Sequence, residues 1–157
     1  MRERVDSILA RILVILMGIM VLNVLWQVFS RYVLNDPSSF TDELAGFLMI
    51  WTGLLGAAFA SGKGLHLAID IVQDMSNDRW KTRLDYIINS LVIVFALTVL
   101  TIGGGRLVYL TLYLEQYSAN LNIPVGYVYI VLPLSGILIV YYSISNIIKL
   151  KYSGDGG

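Results

Sequence analysis

Four long uncharged stretches alternate with short charged ones along this chain. They cover residues 12–30, 44–62, 86–105 and 116–148 and are 19, 19, 20 and 33 residues long. A helix that rises about 1.5 Å per residue needs about 20 apolar residues to cross about 30 Å of hydrocarbon. The pattern therefore predicts an all-α integral membrane protein, a single membrane domain with transmembrane helices at about 9–31, 42–62, 84–112 and 124–148. A cleaved signal peptide is the alternative for the first stretch, but the apolar run is too long and no small-residue cleavage site follows it.

The segment between the second and third stretches has its own pattern. Apolar residues share one helical face, and they are Leu65, Ala68, Ile69, Val72 and Met75. Polar residues, among them His66 and Asp70, take the other faces. The segment is too short to span, so an amphipathic helix lying in the membrane interface is predicted over about residues 64–76. A strand also fits the alternation from Leu65 to Ile71, but it would leave an open edge at the bilayer surface.

The basic residues predict the orientation of the helices. Nine of the eleven flank the same ends of the predicted spans: Arg2, Arg4, Arg11, Lys63, Arg79, Lys81, Arg83, Lys149 and Lys151. Because Lys and Arg are enriched in cytoplasmic segments, both termini are expected in the cytoplasm.

Composition limits the chemistry that this chain can perform. It is 57% hydrophobic and only 14% charged, with a mean hydropathy of +0.72, whereas a soluble domain carries about 25% charge. Without cysteine, and with His66 as the sole histidine, thiolate metal sites, iron–sulfur clusters and bis-histidine haem ligation are excluded. None of the uncharged stretches has an acid near its centre, which a cation-coupled carrier usually needs unless broken helices in symmetric halves replace it. We therefore expect neither an enzyme nor a complete transporter, with no metal, no cofactor and no nucleic-acid partner.

The stretch "RYVLNDPSSFTDE" predicts a tight, charged turn between the first two helices. Asn35, Asp36 and Pro37 are typical turn residues. Ser39 followed by Asp42 fits a capping box, and acids there favour the positive end of the helix dipole. Capping does not explain Arg31 or Tyr32, so an ion pair from Arg31 to Asp42 or Glu43 across the hairpin is predicted.

Small residues recur along the second helix. Gly46, Gly53, Ala57 and Ala60 have helical spacing, and Gly56 forms another small-xxx-small pair with Ala60. Small residues let helices approach closely in lipid. Packing within this chain and docking of another membrane subunit both explain the pattern.

The third and fourth stretches contain helix-perturbing residues. Three glycines at 103–105 precede Arg106 and predict a loosened helix near its end. For Arg106 we favour a structural ion pair or snorkelling over substrate contact, and the tyrosines that follow it are typical of an aromatic belt. Pro124 is expected in the first turn of the fourth helix, and Pro133 is expected to kink it.

Two regions of the chain together resemble a known family. The region "SRYVLNDPSSFTDELAGFLMIWTGLLGAAFASGKGLHLAID" resembles the hallmark of the small (Q-type) membrane subunit of tripartite ATP-independent periplasmic (TRAP) transporters. The residues that match are Arg31, Tyr32, Asn35, Glu43, Trp51, Gly56, Ala57, Ala58, Gly64, His66 and Asp70. The second signature of the family resembles "NIPVGYVYIVLPLSG", through Ile123, Pro124, Gly126, Tyr129, Pro133 and Ser135. Phe40 and Asp42 depart from the family's usual Trp and Glu, both mild changes.

The resemblance implies a helper in a bacterial inner-membrane complex. In that family a periplasmic binding protein delivers an organic acid to a large (M-type) membrane subunit, which is driven by sodium. The small subunit anchors the scaffold of the large one among membrane lipids. Residues expected at a subunit interface or in a structural motif are Arg31, Tyr32, Asn35, Glu43, Gly46, Trp51, Gly53, Gly56, Ala57, His66, Asp70, Arg106, Pro124, Gly126 and Pro133. Asp36 and Asp42 are candidates for contact with the binding protein.

Two other classes of membrane protein remain as alternatives. A self-contained four-helix exporter normally needs a membrane-embedded acid in its first helix, and residues 12–30 contain none. A membrane anchor of a redox enzyme is disfavoured by the single histidine.

Overall fold

The second and fourth spans form the centre of the structure, a computed structural model that describes residues 2–63 and 78–154 and the side chains of 2–63 and 83–150. The helices are α1 (Arg2–Tyr32), α2 (Phe40–Lys63), α3 (Asp78–Phe95), α4 (Gly104–Tyr113), α5 (Val125–Tyr129) and α6 (Val131–Gly154). A π-helical segment, Ala96–Gly103, joins α3 to α4. Within the described residues four spans are long and apolar enough to cross a membrane, so the predicted fold class is confirmed. The predicted interfacial helix, with His66 and Asp70, lies outside the described residues.

The packing order of the spans differs from their order in the chain. The first span packs on the second, the second on the fourth, and the fourth on the third. Of the 18 most apolar consecutive residues in each span, 39% are buried in the fourth span, whereas only 11% are buried in the first. The described part of the chain therefore leaves most of the apolar surface of the first span uncovered, including Val14 and Leu22.

Irregularity in the third span lies mostly before the three glycines and includes only the first of them, Gly103. The π-helical turns end at Gly103, and regular helix resumes at Gly104. A Cβ on Gly104 would lie 2.7 Å from Leu132 Cβ, and one on Gly136 would lie 2.6 Å from Thr101 Oγ1. Gly104 is therefore needed for close contact with the fourth span, and of the three glycines predicted to loosen the helix only Gly103 belongs to the irregular segment.

The fourth span is interrupted between α5 and α6. Pro133 has no N–H to donate to the carbonyl of Tyr129, and the helix breaks at Ile130, directly after Tyr129. Pro124 caps α5 with φ −59° and ψ 117°. It therefore precedes the first turn instead of lying within it, because its ψ is extended rather than helical.

Candidate functional site

At one end of the molecule, here called the loop end, the carboxylate of Glu43 holds the loop between the third and fourth spans. Its Oε1 accepts the backbone N–H of Ala119 at 3.1 Å, and its Oε2 accepts those of Asn120 and Leu121 at 2.9 and 3.1 Å. Three consecutive N–H groups thus point at one carboxylate, an arrangement suited to an anion. Glu43 thereby connects the start of α2 to a loop more than 70 residues away in the chain.

The loop is folded so that these three N–H groups are free to face Glu43. Its own backbone bonds use other groups: Ser118 N–H donates to the Ile123 carbonyl at 2.9 Å, and Val125 N–H donates to Gln116 at 2.9 Å. Asn122 turns the loop with a φ of 52°, in the left-handed region that Asn tolerates better than most residues.

The hairpin between α1 and α2 is held by uncharged side chains instead of the predicted ion pair. Asn23 is buried and donates to the Thr41 carbonyl at 2.8 Å, while Gln27 donates to Asp42. Arg31 is exposed and forms no ion pair with any described residue. The predicted pairing is wrong because Glu43 is engaged by the loop and Asp42 by Gln27, one helical turn before Arg31.

The capping contacts at the start of α2 also differ from the prediction. The hydroxyl of Ser38, not that of Ser39, donates to Thr41 Oγ1 at 2.9 Å, and Thr41 Oγ1 donates back to the Ser38 carbonyl at 2.9 Å. Asn35 turns the chain with a φ of 53°, which gives a physical reason for asparagine there. Tyr32 and Asp36 are exposed beside this turn.

Trp51 connects the second span to the break in the fourth. Its Nε1–H donates to the carbonyl of Val128 at 3.0 Å. Val128 lies in the last turn of α5, where carbonyls lack a full set of partners within the helix. The predicted motif residues Pro124, Gly126 and Pro133 are thus in the same part of the fold as Trp51. Gly126 packs against α4, since a Cβ there would lie 2.5 Å from the side chain of Leu112.

The small residues of the second span lie on a face against which no described helix packs closely. A Cβ added to Gly46, Gly53 or Gly56 would meet nothing within 4 Å. Gly53 and Ala57 are exposed, as is Met49 one turn before Gly53, and Gly46 and Gly56 are half-buried. We call Gly46, Met49, Gly53, Gly56 and Ala57 the small-residue face. The described helices of this chain therefore do not pack closely against these three glycines, which is the close approach that the first of the two explanations requires.

Arg106 is isolated within the described part of the chain. It is exposed on α4 and forms no hydrogen bond or ion pair with a described residue. The predicted ion pair is therefore absent, whereas an exposed position is compatible with snorkelling.

A polar cluster at the opposite end, here called the terminal end, was not predicted. Arg2 donates to Ser145 Oγ at 3.0 Å, to Asn146 Oδ1 at 2.9 Å and to the Gly62 carbonyl. Its guanidinium also lies 5.7 Å from the centre of the Tyr142 ring. The sequence signal was the recurrence of polar residues four apart, Arg2 with Asp6 and Tyr142 with Asn146, in otherwise apolar helices.

Asp6 completes this cluster. It accepts the hydroxyl of Tyr142 at 2.6 Å and pairs with Lys63 at 3.7 Å. Tyr142 is fully buried, and a Cβ on Gly62 would lie 2.7 Å from its ring. The amino end of α1, the carboxyl end of α2 and the middle of α6 are thereby joined.

Comparison with known proteins identifies similar chains. The family model described as the DctQ component of tripartite ATP-independent periplasmic transporters matches residues 20–151. The sialic acid TRAP transporter small permease protein SiaQ of Vibrio cholerae is 27% identical over 137 residues, which cover 83% of this chain and 79% of that protein. A putative TRAP transporter small permease protein of Haemophilus influenzae is 22% identical over 134 residues, which cover 85% and 81%.

Proposed function

Because this chain belongs to the DctQ component family of tripartite ATP-independent periplasmic transporters, we propose that it is the small permease subunit of a sodium-coupled, binding-protein-dependent transporter for an organic acid. One relative is named as a sialic acid transporter subunit, which makes a sugar acid of that class the first substrate to test. The chain lies in the bacterial inner membrane with both termini in the cytoplasm, as its basic flanks favour.

In this proposal the large (M-type) membrane subunit carries the substrate and the sodium ions, and this chain stabilises its scaffold. The absence of an acid from the centres of the four uncharged stretches supports that division of roles. So does the open packing of the first span, whose apolar side chains are covered by lipid or by a partner.

The observation that carries the proposal is the small-residue face of α2. Small residues are typical of helix contacts in membranes because they let backbones approach closely. Here a Cβ added to any of the three glycines of the face would meet nothing within 4 Å among the described residues. We assign the face to a helix of the large subunit.

The test is affinity purification of the chain from its native membranes in mild detergent, with mass spectrometry of what stays bound. One large polytopic subunit at near-equal stoichiometry is expected, and Gly53→Leu should release it. Gly18→Leu is the matched control, since Gly18 is an equally open glycine on α1, outside the small-residue face. Recovery of this chain alone as a homo-oligomer would contradict the helper role and favour a self-contained exporter.

Sodium coupling is tested with the intact complex and its binding protein in proteoliposomes. Uptake of labelled sialic acid should require an inward sodium gradient and be insensitive to ATP. Uptake that persists without sodium would contradict the coupling, and failure to take up sialic acid with uptake of another acid would change the substrate only.

Contact with the periplasmic binding protein is assigned to the loop end. Asp36 and Asp42 are both exposed there, and exposed charges act mainly on association rates. Reversal of both to Lys should slow the association of the binding protein with the complex. It should not steepen the dependence of the association rate on salt concentration. Unchanged association kinetics would remove these acids from the contact.

A further inference from the structure

A cavity of about 520 Å³ opens at the terminal end, between three spans. It is lined by Arg2, Glu3 and Asp6 of α1, by Gly62 and Lys63 of α2, and by Ser145 and Lys149 of α6. The described residues of the polar cluster leave this space between the helix ends open. We propose that it binds the headgroup of an anionic phospholipid.

The charges around the cavity favour an anion. Asp6 is already engaged by Lys63 and by the Tyr142 hydroxyl. Arg2 donates only to uncharged oxygens, those of Ser145, Asn146 and Gly62. Arg2 and Lys149 thus have no carboxylate partner among the described residues, and they face a single unpaired acid, Glu3. The residues around the cavity therefore carry an excess of positive charge.

An apolar groove adjoins the cavity and distinguishes a lipid from a small soluble anion. The groove holds about 300 Å³ and is lined by Tyr141, Ile144 and Ile148 together with Ser145 and Lys149. Because the last two residues line both spaces, the cavity and the groove are neighbours on α6. A charged head beside an apolar tail is the shape of a phospholipid, and basic pockets between transmembrane helices are known to receive such headgroups.

The position of the cavity along the helices also favours a phospholipid headgroup. The cavity lies at the ends of membrane-length helices, where headgroups lie in a bilayer. The site involves no residue of the small-residue face, so it holds whether or not the large subunit docks there.

The test is native mass spectrometry of the full chain after reconstitution in vesicles of equal phosphatidylglycerol and phosphatidylethanolamine. The chain should retain phosphatidylglycerol preferentially, and Lys149→Gln should lower that retention about fivefold, the effect of one basic residue at an anionic surface. Lys149 is exposed and forms no ion pair with a described residue, so its loss spares the fold. Arg11→Gln is the control, an exposed basic residue on α1 outside the cavity. Equal retention of the two lipids, or equal loss in both variants, would overturn the proposal.

Two further experiments distinguish an anionic phospholipid from a small soluble anion. Excess inorganic phosphate should not displace the bound lipid, because it cannot occupy the groove. Displacement would show a small-anion site and overturn the lipid assignment. Ile144→Ser should lower retention while leaving the melting temperature of the chain unchanged, and undiminished retention would contradict the role of the groove.

Discussion

The second span has two faces that carry similar residues in opposite surroundings. On one face Gly62 is buried, and a Cβ there would lie 2.7 Å from the ring of Tyr142. On the other face Gly53 is exposed, and a Cβ would meet nothing within 4 Å. Gly62 is therefore required by a neighbour that the chain itself supplies, whereas Gly53 has no close neighbour among the described residues and is open to the partner helix that we propose.

If the large subunit docks on the small-residue face as we propose, folding and assembly use opposite faces of α2. In lipid, apolar side chains gain little by leaving one apolar environment for another, so close packing and hydrogen bonds determine which helices associate. The inner face of α2 uses both, through Gly62 and through Trp51. The small-residue face offers close approach alone, and we propose that the large subunit uses it.

The largest effect is expected from Gly62→Leu. The added side chain collides with Tyr142, which is fully buried and bonded to Asp6, so the ring cannot rotate away freely. Overpacking of this kind costs about 1–3 kcal/mol of folding free energy. Thermal unfolding of the isolated chain in detergent, followed by circular dichroism, should show a lower Tm. Gly53→Leu is the control and should melt like the wild type; equal losses in both variants would erase the distinction between the faces.

A smaller effect is expected from Trp51→Phe. The variant keeps an aromatic ring but loses the hydrogen bond to the buried carbonyl of Val128. One such bond contributes about 1 kcal/mol, so the same unfolding measurement should show a modest decrease. Trp26→Phe is the matched control, because Trp26 is exposed on α1. A decrease of the same size in the control would show that the indole ring, not this bond, matters.

The transmembrane spans could be predicted from the sequence, because the bilayer determines their length. Contacts between residues that are distant in the chain could not. Membrane thickness fixes the length of an apolar run, so the four spans could be read directly. The hydrogen-bond partners of Glu43 could not be predicted, because Ala119, Asn120 and Leu121 are remote in the chain. Their donors are backbone N–H groups, which no particular residue type marks. Arg31 was the obvious partner by proximity alone.

The small-residue face shows the same limit. Its spacing was visible, but the choice between internal packing and docking depended on the order in which the spans associate. That order places the fourth span, not the third, beside the second. Helical periodicity gives the composition of a face and not the identity of its neighbour.

A local effect on the loop between the third and fourth spans is expected from Glu43→Gln, at the loop end of α2. Both carboxylate oxygens of Glu43 accept hydrogen bonds, whereas glutamine has one acceptor oxygen and no charge. Hydrogen–deuterium exchange at Ala119, Asn120 and Leu121 should accelerate, and more so in Glu43→Ala. Asp42→Asn is the control, since Asp42 accepts from Gln27 and not from the loop. Unchanged exchange in both Glu43 variants would mean that the loop holds its shape without the carboxylate.

The smallest effect is expected from Gly53→Ala, which tests how closely the proposed partner helix approaches. A single Cβ meets nothing within 4 Å among the described residues, and alanine favours helix over glycine, so the Tm of the isolated chain should not fall. The assembled complex should differ, because a Cβ on a close helix contact separates the two backbones. Co-purification of the large subunit should therefore weaken slightly, between the wild type and Gly53→Leu. A complex unaffected by alanine yet lost with leucine would place the partner helix at an ordinary packing distance, whereas loss already with alanine would place its backbone directly against Gly53.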